Sequence, residues 1–481
     1  MGGYQVALGP LPNFDFYSTS ERRRLMMRVS SKAWFALSVL FAINTLNFYD
    51  RQILGAVGET VREEWRLSDT ALGSLGTAFT LLYAAVGVPI GRLTDRFSRR
   101  WILFVGVTLW SLLTAASGLA RNFSELFIVR LGVGSGEAAC APASASLIGD
   151  LFPASRRAKA LSVFMLGLPL GIALSFLGSS LLEHRFGWRS TFYIALVPGI
   201  ICALLALMVS EPARGAAEVH QITSSKRKGS PYLLVLSIPT MWWIIASGAL
   251  HNFNMYAIGA FLSPFLQRVH QVSKLNAGMI SMVVYGLAGV PGLILGGMLS
   301  DRLVRHKANG RLVLSSIAIF ISAPLMYLSL TRPAGDLTGF ILLAGFGMAA
   351  MYIYYATVYS AIQDVIEPAL RGTAMALYFF AMYVLGASLG PVGMGFLSNY
   401  FTRQAAVNAG VTETTFQALR PFAAQGLHSA LYVVPVFGIL LGLVLFAASR
   451  TVAKDMEKLQ SWMRESVSSE AKGKSYASAA D

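Results

Sequence analysis

About twelve apolar stretches, each roughly 20 residues long, recur along the 481-residue chain. A helix of about that length crosses the hydrocarbon core of a bilayer. The stretches lie near residues 33–55, 70–90, 101–120, 124–149, 159–182, 190–209, 235–264, 276–298, 312–330, 338–362, 370–397 and 427–449. Inside lipid the backbone must satisfy its own hydrogen bonds, which leaves helices or a closed barrel. Segments this long are helical, so the fold class is an all-α polytopic membrane protein with 12 transmembrane helices. Only 13% of residues are charged, against about 25% in soluble domains.

The charges that remain are placed unevenly. Of the 39 Lys and Arg residues, about 27 fall in the two tails and in the loops after even-numbered spans, and about 10 in the opposite loops. That asymmetry sets both termini on the cytoplasmic side. It also accounts for the net charge of +15 as a topology signal, so no nucleic-acid partner is expected. The first 30 residues are polar and basic, and no cleavable signal peptide is expected there. Cys140 and Cys202 fall inside spans and read as buried thiols.

A polar, basic stretch over 211–231 divides the spans six and six, as a linker between half-domains does. The expected layout is a cytoplasmic tail over 1–32, one six-helix bundle over 33–210 and a second over 232–449. Residues 450–481 follow as an interfacial helix (Val452, Met456, Leu459, Met463) and a disordered end from Ser466. An outer loop over 399–426, with a short helix at 413–420, is assigned no role.

The halves repeat. Gly91-x-x-x-Asp95-Arg96-x-x-Arg99-Arg100 follows span two, and Gly297-x-x-x-Asp301-Arg302-x-x-Arg305 follows span eight. Asp150 and Arg156 follow span four, and Asp364 and Arg371 follow span ten. Two loops recurring in one order make two pseudo-symmetric six-helix bundles, a transporter architecture.

Charges within the spans point to the site. Arg130 and Glu137 stand about two helical turns apart on one face of span four. Span one carries Asn47, Asp50 and Arg51. Ionisable groups at membrane depth are costly and mark function. Counting about 1.5 Å per residue from opposite ends places Asp50 and Arg130 at similar depth, so either an Asp50–Arg130 pair or an Asp50–Arg51–Glu137 network is expected. A carboxyl poised between burial and a nearby cation suits proton coupling, which nominates Glu137 and Asp50, with Arg51 and Arg130 as their cations. The spans of the second half hold almost no charge. They offer His251, Asn252, Tyr256 and Tyr355, with further aromatics at Tyr352, Tyr354, Tyr359, Tyr378, Phe379, Phe380 and Tyr383. His251 reads as a hydrogen-bonded helix histidine or a proton relay. A charged wall facing an aromatic one suits a molecule with an anionic head and an apolar body, with Arg51 and Arg130 gripping the head and Asn47, His251, Asn252, Tyr256 and Tyr355 lining the cavity. Gly132 and Gly136 permit close helix approach, and Pro169 and Pro391 read as kinks.

The Gly-x-x-x-Asp-Arg-x-x-Arg-Arg loop and its second copy resemble the loop signature of the major facilitator superfamily. Asn47-Phe-Tyr-Asp50-Arg51 and Arg130-Leu-Gly-Val-Gly-Ser-Gly-Glu137-Ala resemble the Spinster family of lysolipid and sphingosine-phosphate transporters. The superfamily resemblance implies that the Asp95 loop stabilises the outward-open state: Asp95 meets the neighbouring half, Arg96 or Arg99 pairs with Asp150, and Asp364 repeats that pairing opposite Arg302. The gating set is therefore Gly91, Asp95, Arg96, Arg99, Asp150, Asp301, Arg302 and Asp364. The Spinster resemblance implies a lysolipid-like or sphingosine-1-phosphate-like amphiphile moved by alternating access. The alternatives are a small organic anion, such as a sugar acid or carboxylate, moved with protons, or multidrug export. No cofactor is expected; a proton gradient is the expected energy source, since no nucleotide-binding loop is present. An intramembrane enzyme would need a catalytic pairing that the sequence lacks, and a receptor would not need Glu137 or duplicated gating loops. The expected protein is a monomer in a bacterial inner (plasma) membrane, with the membrane lipids, protons and its substrate as partners.

Overall fold

The computed structural model describes the backbone of residues 30–214, 230–367 and 370–478, and their side chains apart from residues 88, 95, 154, 155, 158 and those after 462. Most of the tail 1–32 and of the linker, residues 215–229, lies outside the described residues, as do the side chains of Asp95 and Met463.

The first half contains α1 (Ser31–Trp65), α2 (Asp69–Arg96), α3 (Arg99–Ser117), α4 (Phe123–Glu137), α5 (Cys140–Leu151), α6 (Ala154–Met165), α7 (Gly167–Phe186) and α8 (Arg189–Met208). The second contains α9 (Pro231–Leu236), α10 (Pro239–Arg268), α11 (Lys274–Ser281), α12 (Gly289–Val304), α13 (Gly310–Leu330), α14 (Leu337–Val365), α15 (Arg371–Ala381), α16 (Leu389–Asn408), α17 (Phe416–Leu419), α18 (Ala423–Leu431) and α19 (Val433–Ser478). Several are segments of one rod, so the described residues form twelve rods. Nine contain a helix long and apolar enough to cross a membrane. The remaining three are α1, the α4–α5 rod and α10. These hold Asp50 and Arg51, Arg130 and Glu137, and His251, so the rods poorest in spanning character carry the candidate site.

Prolines mark five of the interruptions, while Pro89, Pro198, Pro264 and Pro324 lie inside helices that run on unbroken. A helical proline donates no hydrogen bond and crowds the carbonyl four residues earlier. Counting back four from Pro142, Pro169, Pro291, Pro391 and Pro435 gives Ala138, Met165, Leu287, Ala387 and Leu431. Each lies at an interruption: the turn at Ala138–Ala139, the step between α6 and α7, the ends of π-helical turns at Met282–Leu287 and Met382–Ala387, and the step between α18 and α19. Asn44 of α1 donates to the Phe164 carbonyl beside the second of these, at 2.8 Å.

Packing repeats between halves. α1 lies on α7 as α10 lies on the α15–α16 rod; α3 lies on α8 as α13 lies on α19; α2 lies on α4 as α12 lies on α14. The halves meet through α1 with α10, α2 with α16, and α7 with α11. We call the face carrying the termini inner, following the charge asymmetry. Cross-half contact is tightest towards the outer face: a Cβ on Gly73 would lie 2.1 Å from the Pro391 carbonyl oxygen, and one on Gly55 2.3 Å from that of Gly259. At Gly87, Gly91 and Gly372, towards the inner face, a Cβ would meet nothing within 4 Å. The halves are joined outside and splayed inside.

Two ends differ from expectation. α16 stays helical to Asn408, so the outer connection is shorter than 399–426 and its short helix spans Phe416–Leu419. The last rod runs unbroken to Ser478 where a disordered end was expected; no proline and no glycine interrupts it between Gly442 and Gly473. Val452 and Asp455 are buried, and Asp455 Oδ2 accepts from Thr240 N at 3.0 Å and Thr240 Oγ1 at 2.6 Å, capping the start of α10.

Candidate functional site

Asn47 and Arg51, four residues apart, share a face of α1, and both are buried. Glu137 closes α4 immediately before the Ala138–Ala139 turn, so Pro142 determines where that carboxylate is presented. Arg51 Nε donates to Glu137 Oε2 at 2.7 Å, and Asn47 Nδ2 donates to the same oxygen at 3.1 Å. Arg51 Nη1 then reaches the other half, donating to Tyr256 Oη at 3.3 Å and Tyr383 Oη at 3.2 Å. The rings of Tyr83, Phe48 and Phe79 surround the guanidinium at 4.4, 5.0 and 5.2 Å, an arrangement that favours a buried cation. One arginine thus joins three rods and both halves.

Of the two expected arrangements, the Arg51–Glu137 contact of the network forms, with Asp50 outside it, and no Asp50–Arg130 pair closes among the described residues. Adjacent helical residues point about 100° apart, so when Arg51 faces Glu137, Asp50 turns towards Trp110 of α3. Glu137 Oε1 and Arg130 Nε and Nη1 have no hydrogen-bond partner among the described residues, and the Asp50 carboxylate has only the Trp110 indole beside it. Arg130 lies 5.3 Å from the Phe79 ring. Buried groups left open in this way are costly. The four charges balance with only one pair closed, which leaves capacity for a proton on a carboxylate and for an anion on a guanidinium.

In the second half, His251 is fully buried and stacks on Tyr354 at 3.9 Å, with Tyr355 edge-on at 4.8 Å. Neither ring nitrogen has a hydrogen-bond partner among the described residues, so the reading of a hydrogen-bonded histidine does not hold there. Asn252 donates to Gly248 O of its own helix at 3.0 Å. Ser247, Tyr354 and Tyr378 form a hydroxyl chain at 2.8 and 3.0 Å. Tyr256, Tyr355, Tyr359, Phe379 and Tyr383 keep partial exposure and form the aromatic wall.

At the inner face Arg99 pairs with Asp150, as expected of Arg96 or Arg99. Its Nε also meets Glu211 Oε1 at 2.7 Å and its Nη2 donates to Pro212 O at 2.7 Å. Glu211 additionally accepts from Ser98 Oγ at 2.8 Å and from the amides of Arg99 and Arg100 at 3.3 and 3.1 Å. Burial pushes its carboxyl up, but these donors outweigh burial and hold it below the usual carboxylate range. The start of the linker is therefore clamped to the connection between α2 and α3. In the second half the pairing differs from expectation: Arg311 Nε, not Arg302, meets Asp364 at 3.2 Å, and Arg311 Nη2 meets Asp301 at 3.4 Å. Arg311 opens α13 as Arg99 opens α3, so the helix start supplies the cation in both halves. Arg96 and Arg302 are exposed.

Sequence reasoning missed Glu211 and Arg311 as partners. Superposing the two loop copies sets Arg305 opposite Arg99, so the repeat carries no signal for Arg311, which lies ten residues after Asp301 rather than four.

The sequence profile described as Major Facilitator Superfamily matches residues 40–391, well over half of the chain. Protein spinster of Drosophila melanogaster is 27% identical over 421 residues, covering 84% of this chain and 69% of the relative. An MFS-type efflux pump of Mycolicibacterium smegmatis is 29% identical over 372 residues, covering 77% and 86%. The crystal structure of a bacterial homolog to the human lysosomal transporter Spinster, inward-facing and unoccupied, matches with a TM-score of 0.77 at 27% identity, covering 89% of this chain and 98% of that one. Its occupied, inward-facing counterpart matches with a TM-score of 0.76 at 26% identity. With a profile match over most of its length and these relatives in both sequence and structure, the chain belongs to the Major Facilitator Superfamily, as a multi-pass membrane transporter of the Spinster type.

Proposed function

We propose that the chain is a proton-coupled secondary transporter of an amphiphilic anion, lysolipid-like or sphingosine-1-phosphate-like, working by alternating access. The observation that carries the reading is the bridging position of Arg51, paired with Glu137 at 2.7 Å and in contact with Tyr256 and Tyr383 of the other half. A proton on Glu137 removes the counter-charge from Arg51. The freed guanidinium then takes an anionic head in two-point fashion, while the aromatic wall of the second half takes the apolar body. Asp50 and Arg130, each with open hydrogen-bonding capacity, form the second carboxylate–guanidinium set through which a proton and an anionic head exchange.

The reading is tested in proteoliposomes carrying a pH gradient, with uptake of a lysophospholipid and of a sugar acid run in parallel. Gradient-driven lysophospholipid flux supports it. Flux of neither substrate, or flux indifferent to the gradient, refutes it. The similarity to a mycobacterial efflux pump favours a second reading, proton-driven export, and reversing the imposed gradient in the same vesicles separates the two directions.

A further inference from the structure

The outer ends of the rods hold a second group of buried charges, unconnected with the central site. Glu59 and Arg62 close α1, Asp69 opens α2, Arg268 closes α10, and Ser398 lies on α16; all five are buried. Arg268 Nε donates to Glu59 Oε2 at 2.8 Å, and its Nη1 and Nη2 donate to Asp69 Oδ2 and Oδ1 at 2.8 and 2.9 Å. Arg62 Nη1 meets Glu59 Oε1 at 3.1 Å and its Nε lies 2.8 Å from Asp69 Oδ1. Ser398 Oγ donates to Asp69 Oδ2 at 2.6 Å, and Asn399 binds the Asp69 amide and Thr70 Oγ1 at 3.1 and 2.7 Å. Two acids and two arginines balance, and every hydrogen bond of the Arg268 guanidinium crosses from one half to the other.

The connection after α16 runs over this lattice. It leaves Asn408, passes through α17 and a short 3₁₀ turn at Arg420–Phe422, and returns into α18. Its Phe416 ring lies 5.0 Å from the Arg62 guanidinium, and its Arg420 Nη2 reaches Glu63 Oε1 at 2.9 Å. Both contacts join a second-half loop to the end of the first crossing. The aromatic ring covers the one arginine of the lattice that belongs to the first half, and the exposed Arg420–Glu63 pair fastens the loop beside it.

We propose that residues 409–422 are a strap that fastens the outer ends of the two halves over a buried ion lattice, so that its release precedes opening of the outer face. The lattice supplies most of the holding force: separating it strands desolvated charges, which costs far more than breaking an exposed pair. The strap supplies the adjustable part, because a cation–ring contact and an exposed ion pair are individually weak. The exposed pair also makes the strap sensitive to ionic strength.

The test needs no substrate, so it stands apart from the transport reading. Cysteines replacing Leu119 and Ala334, exposed in outer loops of opposite halves, carry spin labels, and pulsed dipolar spectroscopy gives the outer-face distance distribution. Phe416→Ala with Arg420→Ala is expected to raise the long-distance population about tenfold relative to the short one, and Asp69→Asn to raise it further. An unchanged distribution in the strap double variant overturns the proposal; this variant leaves the buried lattice intact, so it reports even where Asp69→Asn fails to fold. In a second arm, Glu63→Cys with Arg420→Cys is joined by a bis-methanethiosulfonate cross-linker about as long as the ion pair it replaces, before the reporter cysteines are labelled through maleimides, so that reduction cleaves the cross-link alone. The cross-linked protein is expected to lose the long-distance population and to regain it on reduction. A long-distance population that survives complete cross-linking also overturns the proposal.

Discussion

Glu137→Gln keeps the shape of the central acid and removes its charge. Two unit charges about 4 Å apart, at an effective dielectric of about 20, attract by about 4 kcal/mol; the Arg51 Nε–Glu137 Oε2 contact of 2.7 Å puts the charge centres near that separation. The glutamine oxygen retains neutral hydrogen bonds from Arg51 and Asn47, worth about 1 kcal/mol net. The difference, about 3 kcal/mol, is released to any anion that takes the place of Glu137 beside Arg51. At about 1.4 kcal/mol per tenfold, that is roughly a hundredfold tighter binding of an anionic headgroup. Because the variant holds the site in its protonated-like condition, a pH gradient no longer drives accumulation, while substrate exchange at equal pH continues. The assay is paired: binding by titration calorimetry, and uptake into proteoliposomes with and without a gradient. Accumulation at the native level in Glu137→Gln, or weaker headgroup binding, refutes the reasoning.

Arg99→Ala removes the cation shared by Asp150 and Glu211 and loosens the start of the linker; a loss of about 2 kcal/mol is expected from the partly buried pairs, read as a lower melting temperature in detergent, with headgroup binding unchanged. The Glu211 carboxyl is depressed in the folded protein, so its contribution is complete above the ordinary glutamate pKa of about 4.3 and fades as pH falls through the lower folded value; melting curves from pH 6 to pH 3 should show this loss, and Glu211→Gln should flatten that part of the profile. Pro142→Ala restores the hydrogen bond to Ala138 O and straightens the α4–α5 rod; stability should rise by about 1 kcal/mol while exchange slows, because Glu137 is presented from the break, and an unchanged exchange rate would show that the break is incidental.

Much of this architecture is local and therefore legible in the chain. Span length, the linker's polarity and the loop repeats each depend on a few consecutive residues, as does the presence of Asp50, Arg51, Arg130 and Glu137 at membrane depth. Which of the two expected arrangements forms, the Asp50–Arg130 pair or the network containing Arg51–Glu137, was not legible. Depth arithmetic placed Asp50 opposite Arg130, but depth carries no azimuth, and one residue of rotation on α1 exchanges Asp50 for Arg51 as the partner of Glu137. The same limit applies to Arg268, whose partners Glu59 and Asp69 lie some 200 residues earlier, and to Arg311, which replaced Arg302. Five breaks lie four residues before a proline, yet only those of spans five and eleven were anticipated, because Pro142 lies close behind the glycines that drew attention to packing. The end of the last rod differs for another reason: its polar composition was read as disorder, whereas the backbone stays helical to Ser478, with no proline or glycine between Gly442 and Gly473.

That last rod changes how the inner surface should be handled. Asp455 supplies the only side-chain oxygen seen accepting from Thr240 N among the described residues, so the seventh crossing borrows its cap from a segment more than 200 positions downstream. Trimming the chain at the end of its final apolar stretch, the natural place for a tidy truncation, would uncap a wall of the cavity. A label or fusion domain attached beyond Trp462 leaves that joint intact.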